Sequence, residues 1–250
     1  MDRDALVAHL DAFLGVEEWP DKSLNGLQVE GAARVERVAL ATDAALATFD
    51  LAAEADAQFL IVHHGLFWGR IEPVAGPHRA RLAALLEREI SLYCAHLPLD
   101  AHPEVGNNAV LARLLELSDR APFGEYEGRT IGVRGRLPEP VDRVGLAARL
   151  EALLGARPVV LPFGADRIET VAVVSGDGGG LIPEAADAGV DAFVTGETSH
   201  IAWHAALERA LNVFFAGHYA TETVGLQALG DHLAAEFGVE TVFLDAPTGL

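Results

Sequence analysis

The chain has 250 residues, half of them hydrophobic, a single cysteine, and a formal charge of −19 from 18 basic and 37 acidic side chains. That length can bury a sizeable core, one thiol excludes an intrachain disulfide, and so negative a surface repels phosphate backbones, which argues against direct nucleic-acid binding. No apolar run is long enough to span a membrane, and Met1 is followed by Asp2, Arg3 and Asp4 rather than a basic and then apolar leader, so a cytoplasmic protein is expected.

Residues 3–13 carry the period of an amphipathic helix, and Pro20 with Asn25-Gly26 marks a loop after it. Strands are predicted at 38–41, 59–62 and 91–95, with helices between them. The middle segment, 121–162, holds a predicted strand at 130–136, a helix at 141–154 and a strand at 158–161, with Pro138 and Pro140 marking a junction. Strands at 171–175, 192–195 and 213–216 follow. This alternation predicts an α/β protein with mainly parallel central strands.

The apolar run Phe59–Val62 ends on two adjacent histidines, His63 and His64, at the carboxyl end of a strand, where open α/β sheets place their chemistry. Neighbouring strand residues point to opposite faces, so the pair chelates one ion poorly but can serve two nearby ions, one each. Two other clusters share a spacing. A run to Ala95 delivers His96, with Asp100 four residues on; a run to Ala216 leads to His218, with Glu222 four residues on. Imidazoles and carboxylates without a thiolate suit zinc, manganese, iron, cobalt or nickel.

These clusters are related by an internal repeat. Adding 133 carries Arg34, Glu36, Val38 and Ala39 onto Arg167, Glu169, Val171 and Ala172, and Ala52, Ala53 and Ala55 onto Ala185, Ala186 and Ala188. Beyond the loop at 66–77 the offset falls to 121 for Leu86, Glu87 and Arg88, and at 122 it carries His96 and Asp100 onto His218 and Glu222. The division expected is a first α/β half at 1–122 and a second at 123–250, interlocked as one unit. In the second half Gly196 and Glu197 stand where the first has His63 and His64. If the halves face one another across a pseudo-twofold axis, His63, His64, Asp100, His218 and Glu222 suffice for two ions with positions left for water.

The residues NGLQVEG at 25–31, VHHGLFW at 62–68, HLPLDAHPEVGNNA at 96–109, DAFVTGE at 191–197 and AGHYATE at 216–222 resemble the NIF-three-like dinuclear-metal proteins, whose members carry the name GTP cyclohydrolase 1 type 2 homologue. The matches run from near the first residue to near the last. The resemblance implies the NIF-three-like fold in its short form without an inserted domain, and two metals held at the positions of His63, His64, Asp100, His218 and Glu222. It also implies a homohexameric ring with the metals facing an inner cavity, and ring opening of a purine nucleotide such as GTP.

Two functional classes follow. One is a metal-dependent hydrolase of a nucleotide-like small molecule, in which His96, close to the metals, handles a proton or holds a substrate group. The other is a non-catalytic metal-binding ring, a scaffold or chaperone-like protein. Trp68, with Phe67, offers an aromatic wall for a flat ring or a packing surface between subunits. The Gly-rich turn at 175–180 could cradle a phosphate or simply permit a tight bend. His102 is expected in the loop that orients Asp100, His200 and His204 on a helix surface, and His9, His78 and His232 at solvated helix positions. Cys94 reads as a buried structural residue.

Overall fold

The computed structural model describes residues 1–249. In chain order the elements are α1 (Arg3–Leu14), β1 (Gly26–Val29), β2 (Arg37–Asp43), α2 (Leu46–Glu54), β3 (Phe59–His64), α3 (Gly76–Glu87), β4 (Ser91–Cys94), α4 (Leu97–Ala101), α5 (Asn107–Leu114), β5 (Ser118–Tyr126), β6 (Arg129–Val141), α6 (Arg143–Leu154), β7 (Val159–Pro162), β8 (Ile168–Val174), α7 (Ile182–Asp187), β9 (Ala192–Thr195), α8 (His200–Glu208), β10 (Asn212–Phe215), α9 (His218–Phe237) and β11 (Glu240–Phe243). Helix ends follow local chemistry. Asp2 caps α1 by accepting from the Ala5 amide at 3.0 Å, and Gly15 ends it in the left-handed conformation; Asp142 and Gly155 do the same for α6.

The chain divides into two packed units. The first comprises Met1–Gly106 and Gly225–Ala246, the second Asn107–Val224 with the residues from Pro247 on. The halves 1–122 and 123–250 express a relation between stretches of sequence, whereas the units express packing, and the two divisions are different things.

In the first unit a five-stranded sheet has the order β1-β4-β3-β2-β11, with β11, β2, β3 and β4 parallel and β1 antiparallel at one edge. Alternate residues feed two cores. Val38, Leu40, Phe59, Ile61 and Tyr93 pack with Leu6, Leu10, Leu226 and Leu229. Ala39, Ala41, Leu60, Val62 and Leu92 pack with Phe49 and Leu85 on the opposite face. In the second unit a six-stranded sheet runs β5-β6-β8-β9-β10-β7, with β8, β9 and β10 parallel and the others antiparallel.

The strand registers carry the repeat. Val38 pairs with Phe59 and Val171 with Ala192; Phe59 pairs with Ser91 and Ala192 with Asn212; at the antiparallel edge Gly26 pairs with Cys94 and Val159 with Phe215. Each second pair is the first shifted by 133 or 121. A side-chain contact repeats too: the Gln58 carbonyl oxygen accepts from the Glu36 and Arg37 amides, and the Asp191 carboxylate accepts from the Glu169 and Thr170 amides.

Three expectations need correction. Asn25-Gly26 is not simply a loop, because Gly26 opens β1. Pro138 and Pro140 do not end a strand: β6 runs through them, and its pairing with β8 lapses between Arg136 and Val141, where no ladder donor is required. His9 and His232 are half-buried rather than solvated, with their Nε2 atoms 3.0 Å apart and the Phe13 ring stacked on His232 at 4.0 Å.

Candidate metal centre

Parallel strands end in register, so the first unit's β2 and β3 present Asp43 and His64 side by side. The His64 Nδ1 lies 2.9 Å from the Asp43 carboxylate. His63, fully buried, turns to the other face and places Nδ1 2.9 Å from the Ala95 carbonyl. Its Nε2 is 3.5 Å from the Asp100 carboxylate, which the short helix α4 holds at 6 % exposure. A ring nitrogen held by an oxygen acceptor fixes the imidazole so that the other nitrogen is directed away from that acceptor.

His96 joins this cluster. Its ring nitrogen and those of His63 and His64 lie within 4.8 Å of one another, a spacing at which a cation can be held. It caps the start of α4, with its amide on the Asn25 side chain and its Nδ1 2.9 Å from Asp21. Asp21 also accepts from the Asn25 side chain and the Ser23 and Leu97 amides. Burial alone would raise the Asp21 carboxyl, but the hydrogen bonds and charge of His96, with those from Asn25 and Ser23, outweigh it and hold the group at about 2.

The second unit supplies an imidazole and a carboxylate. His218 opens α9, and one turn later Glu222 is buried with its Oε1 3.1 Å from His218 Nε2. The other ring nitrogen is 2.7 Å from Glu197. Hydrogen bonding to Glu222 outweighs burial, and with the charge of Glu222 and the contact to Glu197 it lifts the His218 imidazole to about 9. Glycines make the room. A Cβ on Gly176, whose φ is +61°, would lie 2.2 Å from Glu222 Oε1, and one on Gly196 would lie 2.8 Å from the His218 Cα. Gly176 belongs to the Gly-rich turn, and Asn108 receives the neighbouring Ser175 amide at 2.7 Å. The turn therefore fits closely around the Glu222 carboxylate.

Within the first unit the structure brings together His63, His64, Asp100 and His96; within the second it brings together His218 and Glu222. Asp21, Asp43 and Glu197, which hold His96, His64 and His218, escaped the sequence reading. For Glu197 a signal existed, since the repeat sets it opposite His64. Trp68 is 40 % exposed, donates to the Gly65 carbonyl, and sets its rings 5.1 Å from His96 and 5.9 Å from His64, so it does flank the histidines. His102 fastens the loop after α4 to α1: its Nδ1 accepts from the Val105 amide and its Nε2 lies 3.1 Å from the Phe13 carbonyl. Cys94 is fully buried beside Ser23, and burial pushes its thiol up to about 11, as befits a structural residue.

In each unit the residues fit a divalent metal: histidine and carboxylate donors with oxygen acceptors behind the imidazoles, His63 and Asp100 buried in the first unit and Glu222 in the second. Among the described residues no helix is long and apolar enough to cross a membrane.

Comparison with known proteins agrees. The chain is 46% identical to the GTP cyclohydrolase 1 type 2 homolog of Deinococcus radiodurans over 99% of this chain and 94% of the relative. It is 49% identical to that of Pyrococcus horikoshii over the whole of both. A crystal structure from Thermus thermophilus superposes with a TM-score of 0.94 at 51% identity, covering 100% of each chain. Reduced HcgD from Methanocaldococcus jannaschii gives 0.87 at 26% identity, covering 98% of each. The model of the family described as Duf34/NIF3 (NGG1p interacting factor 3) matches residues 1–248, and the chain belongs to that family.

Proposed function

We propose that the protein is a dinuclear metal-dependent hydrolase of a nucleotide-like small molecule, with His63, His64 and Asp100 from one half and His218 and Glu222 from the other holding two divalent ions. The observation that carries this reading is the shared treatment of the imidazoles. His63, His64 and His218 each have Nδ1 against an oxygen, from Ala95, Asp43 and Glu197, which prepares Nε2 for a metal. Divalent ions held there would lower the pKa of water and polarise an electrophilic carbon.

The chain's own residues supply the rest. His96, backed by Asp21 as a hydrogen-bonded partner, is the group for proton transfer. The half-exposed Trp68 offers a face against which a flat heterocycle can stack, in keeping with the nucleotide implied by the relatives' name. A homohexameric ring in the cytoplasm completes the proposal.

Metal quantitation on protein purified without added metal, followed by a hydrolysis screen over nucleotides and phosphoesters, tests it. We expect two ions per chain, turnover lost on chelation, and recovery to different degrees with manganese, zinc, cobalt or iron. Bound metal with no metal-dependent turnover across the panel would favour the scaffold reading instead.

A further inference from the structure

His200 and His204 on α8 take no part in the centre described above. Seven of the other eight histidines have a ring nitrogen within hydrogen-bond distance of a protein atom: His9 and His232 each other, and His63, His64, His96, His102 and His218 a carbonyl or carboxylate. Among the described residues neither His200 nor His204 has such a partner. Both are exposed, they stand four residues apart and so share one face of the helix, and their rings meet edge to face with centroids 5.8 Å apart. With Thr198, Ser199, Trp203 and Leu161 they line an open groove of about 500 Å³.

Trp203, in the same groove lining, packs edge to face on Phe163 with centroids 5.0 Å apart, which fixes that part of the wall. Ser199 caps the helix on the Ala202 amide, so the first turn that carries His200 is anchored. Two imidazoles four residues apart on a helix are a chelating pair for ions that prefer nitrogen. Among the described residues no third histidine, cysteine or carboxylate is close enough to complete a three-ligand set there. Water would fill the remaining positions, as suits an exchangeable ion rather than a structural one.

We propose that His200 and His204 form a separate surface site for one transition-metal ion of the copper(II), nickel(II) or zinc(II) kind. The site is independent of the dinuclear reading, because neither residue is a ligand in it.

The test is retention of the untagged full chain on immobilised nickel(II), read as the imidazole concentration that elutes it. Wild type and His218→Ala should be retained alike. His200→Ala and His204→Ala should elute at imidazole concentrations on the order of tenfold lower, since losing one arm of a chelate forfeits the gain of a second ligand held in place. His200→Ala combined with Glu208→His rebuilds a four-residue pair at 204 and 208 and should restore retention. Equal retention of wild type and His204→Ala, loss of retention in His218→Ala alone, or failure of the rebuilt pair would each overturn the proposal. Positions 200, 204 and 208 are all exposed on α8, so the variants there keep the fold, which circular dichroism verifies for every variant.

Discussion

At position 176 two demands meet: a backbone φ of +61°, and a neighbour, Glu222 Oε1, that a methyl group would approach to 2.2 Å. Gly176→Ala should therefore cost about 1–3 kcal/mol in stability and lower metal content, because either the backbone or the ligand carboxylate must move. Thermal denaturation and metal analysis read the two effects separately. Asp100→Ala should weaken or empty at least one metal position while the protein stays folded, since α4 carries the carboxylate outside the strands of the core. Global unfolding of that variant would mark the metal as structural. For His96→Ala we expect both ions to remain and turnover to fall by a factor of about 100 to 10,000, the usual contribution of a positioned proton-transfer group; unchanged turnover in the metal-replete variant removes His96 from the mechanism. The proposed ligands were legible because each is a histidine at or just beyond the end of an apolar run or a carboxylate four residues after such a histidine. Their holders were not: Asp21 meets His96 from 75 positions away, and nothing in local periodicity marks a carboxylate whose partner arrives only through the sheet.

Among the elements, the parallel strands other than β11 were legible as short apolar runs bounded by turn residues, with ends displaced by up to three residues. Those missed are at sheet margins. The nine residues of β5 are mostly exposed and include Asp119, Arg120 and Glu125, and β11 is only four residues long, so neither shows a buried run. The repeat survives in register because pairing is set by backbone spacing, while the side chains at the strand ends have diverged: His63 faces Gly196 in the alignment, and Asp43 faces Gly176. The contact between α1 and α9 was likewise invisible, since His9 and His232 are 223 residues apart. It has a consequence for pH. Burial, and then the nearby His232, lower the His9 pKa against the pull of Glu236, so the folded protein resists protonation of His9 more than the unfolded chain does. Its contribution to stability is therefore intact well above the ordinary histidine value of about 6.5 and declines as pH falls through that value. Melting temperature measured across that range should drop less steeply in His9→Gln than in wild type; parallel curves would count against a lowered His9 pKa in the folded protein.

At the scale of the whole molecule, assembly is the property that residue patterns do not encode, because symmetry depends on which exposed surfaces meet. The expectation of a hexamer rests on family likeness, and it can be set against the charge. Each chain carries −19, so six of them in a ring repel one another at distances that salt screens. Exposed apolar side chains, among them Ile71, Val74 and Val144, give the attraction that opposes this. Screening weakens repulsion between separated charges, whereas burial of apolar surface persists, so added salt should favour the assembled form. Light scattering at micromolar concentration and physiological ionic strength should give a mass near six times the 26.5 kDa of one chain. At very low ionic strength, where the Debye length grows to about 30 Å, the mass should shift toward smaller species. A monomer mass in physiological salt would overturn the ring, and dissociation on adding salt would show that ion pairs, rather than apolar contacts, hold the subunits together.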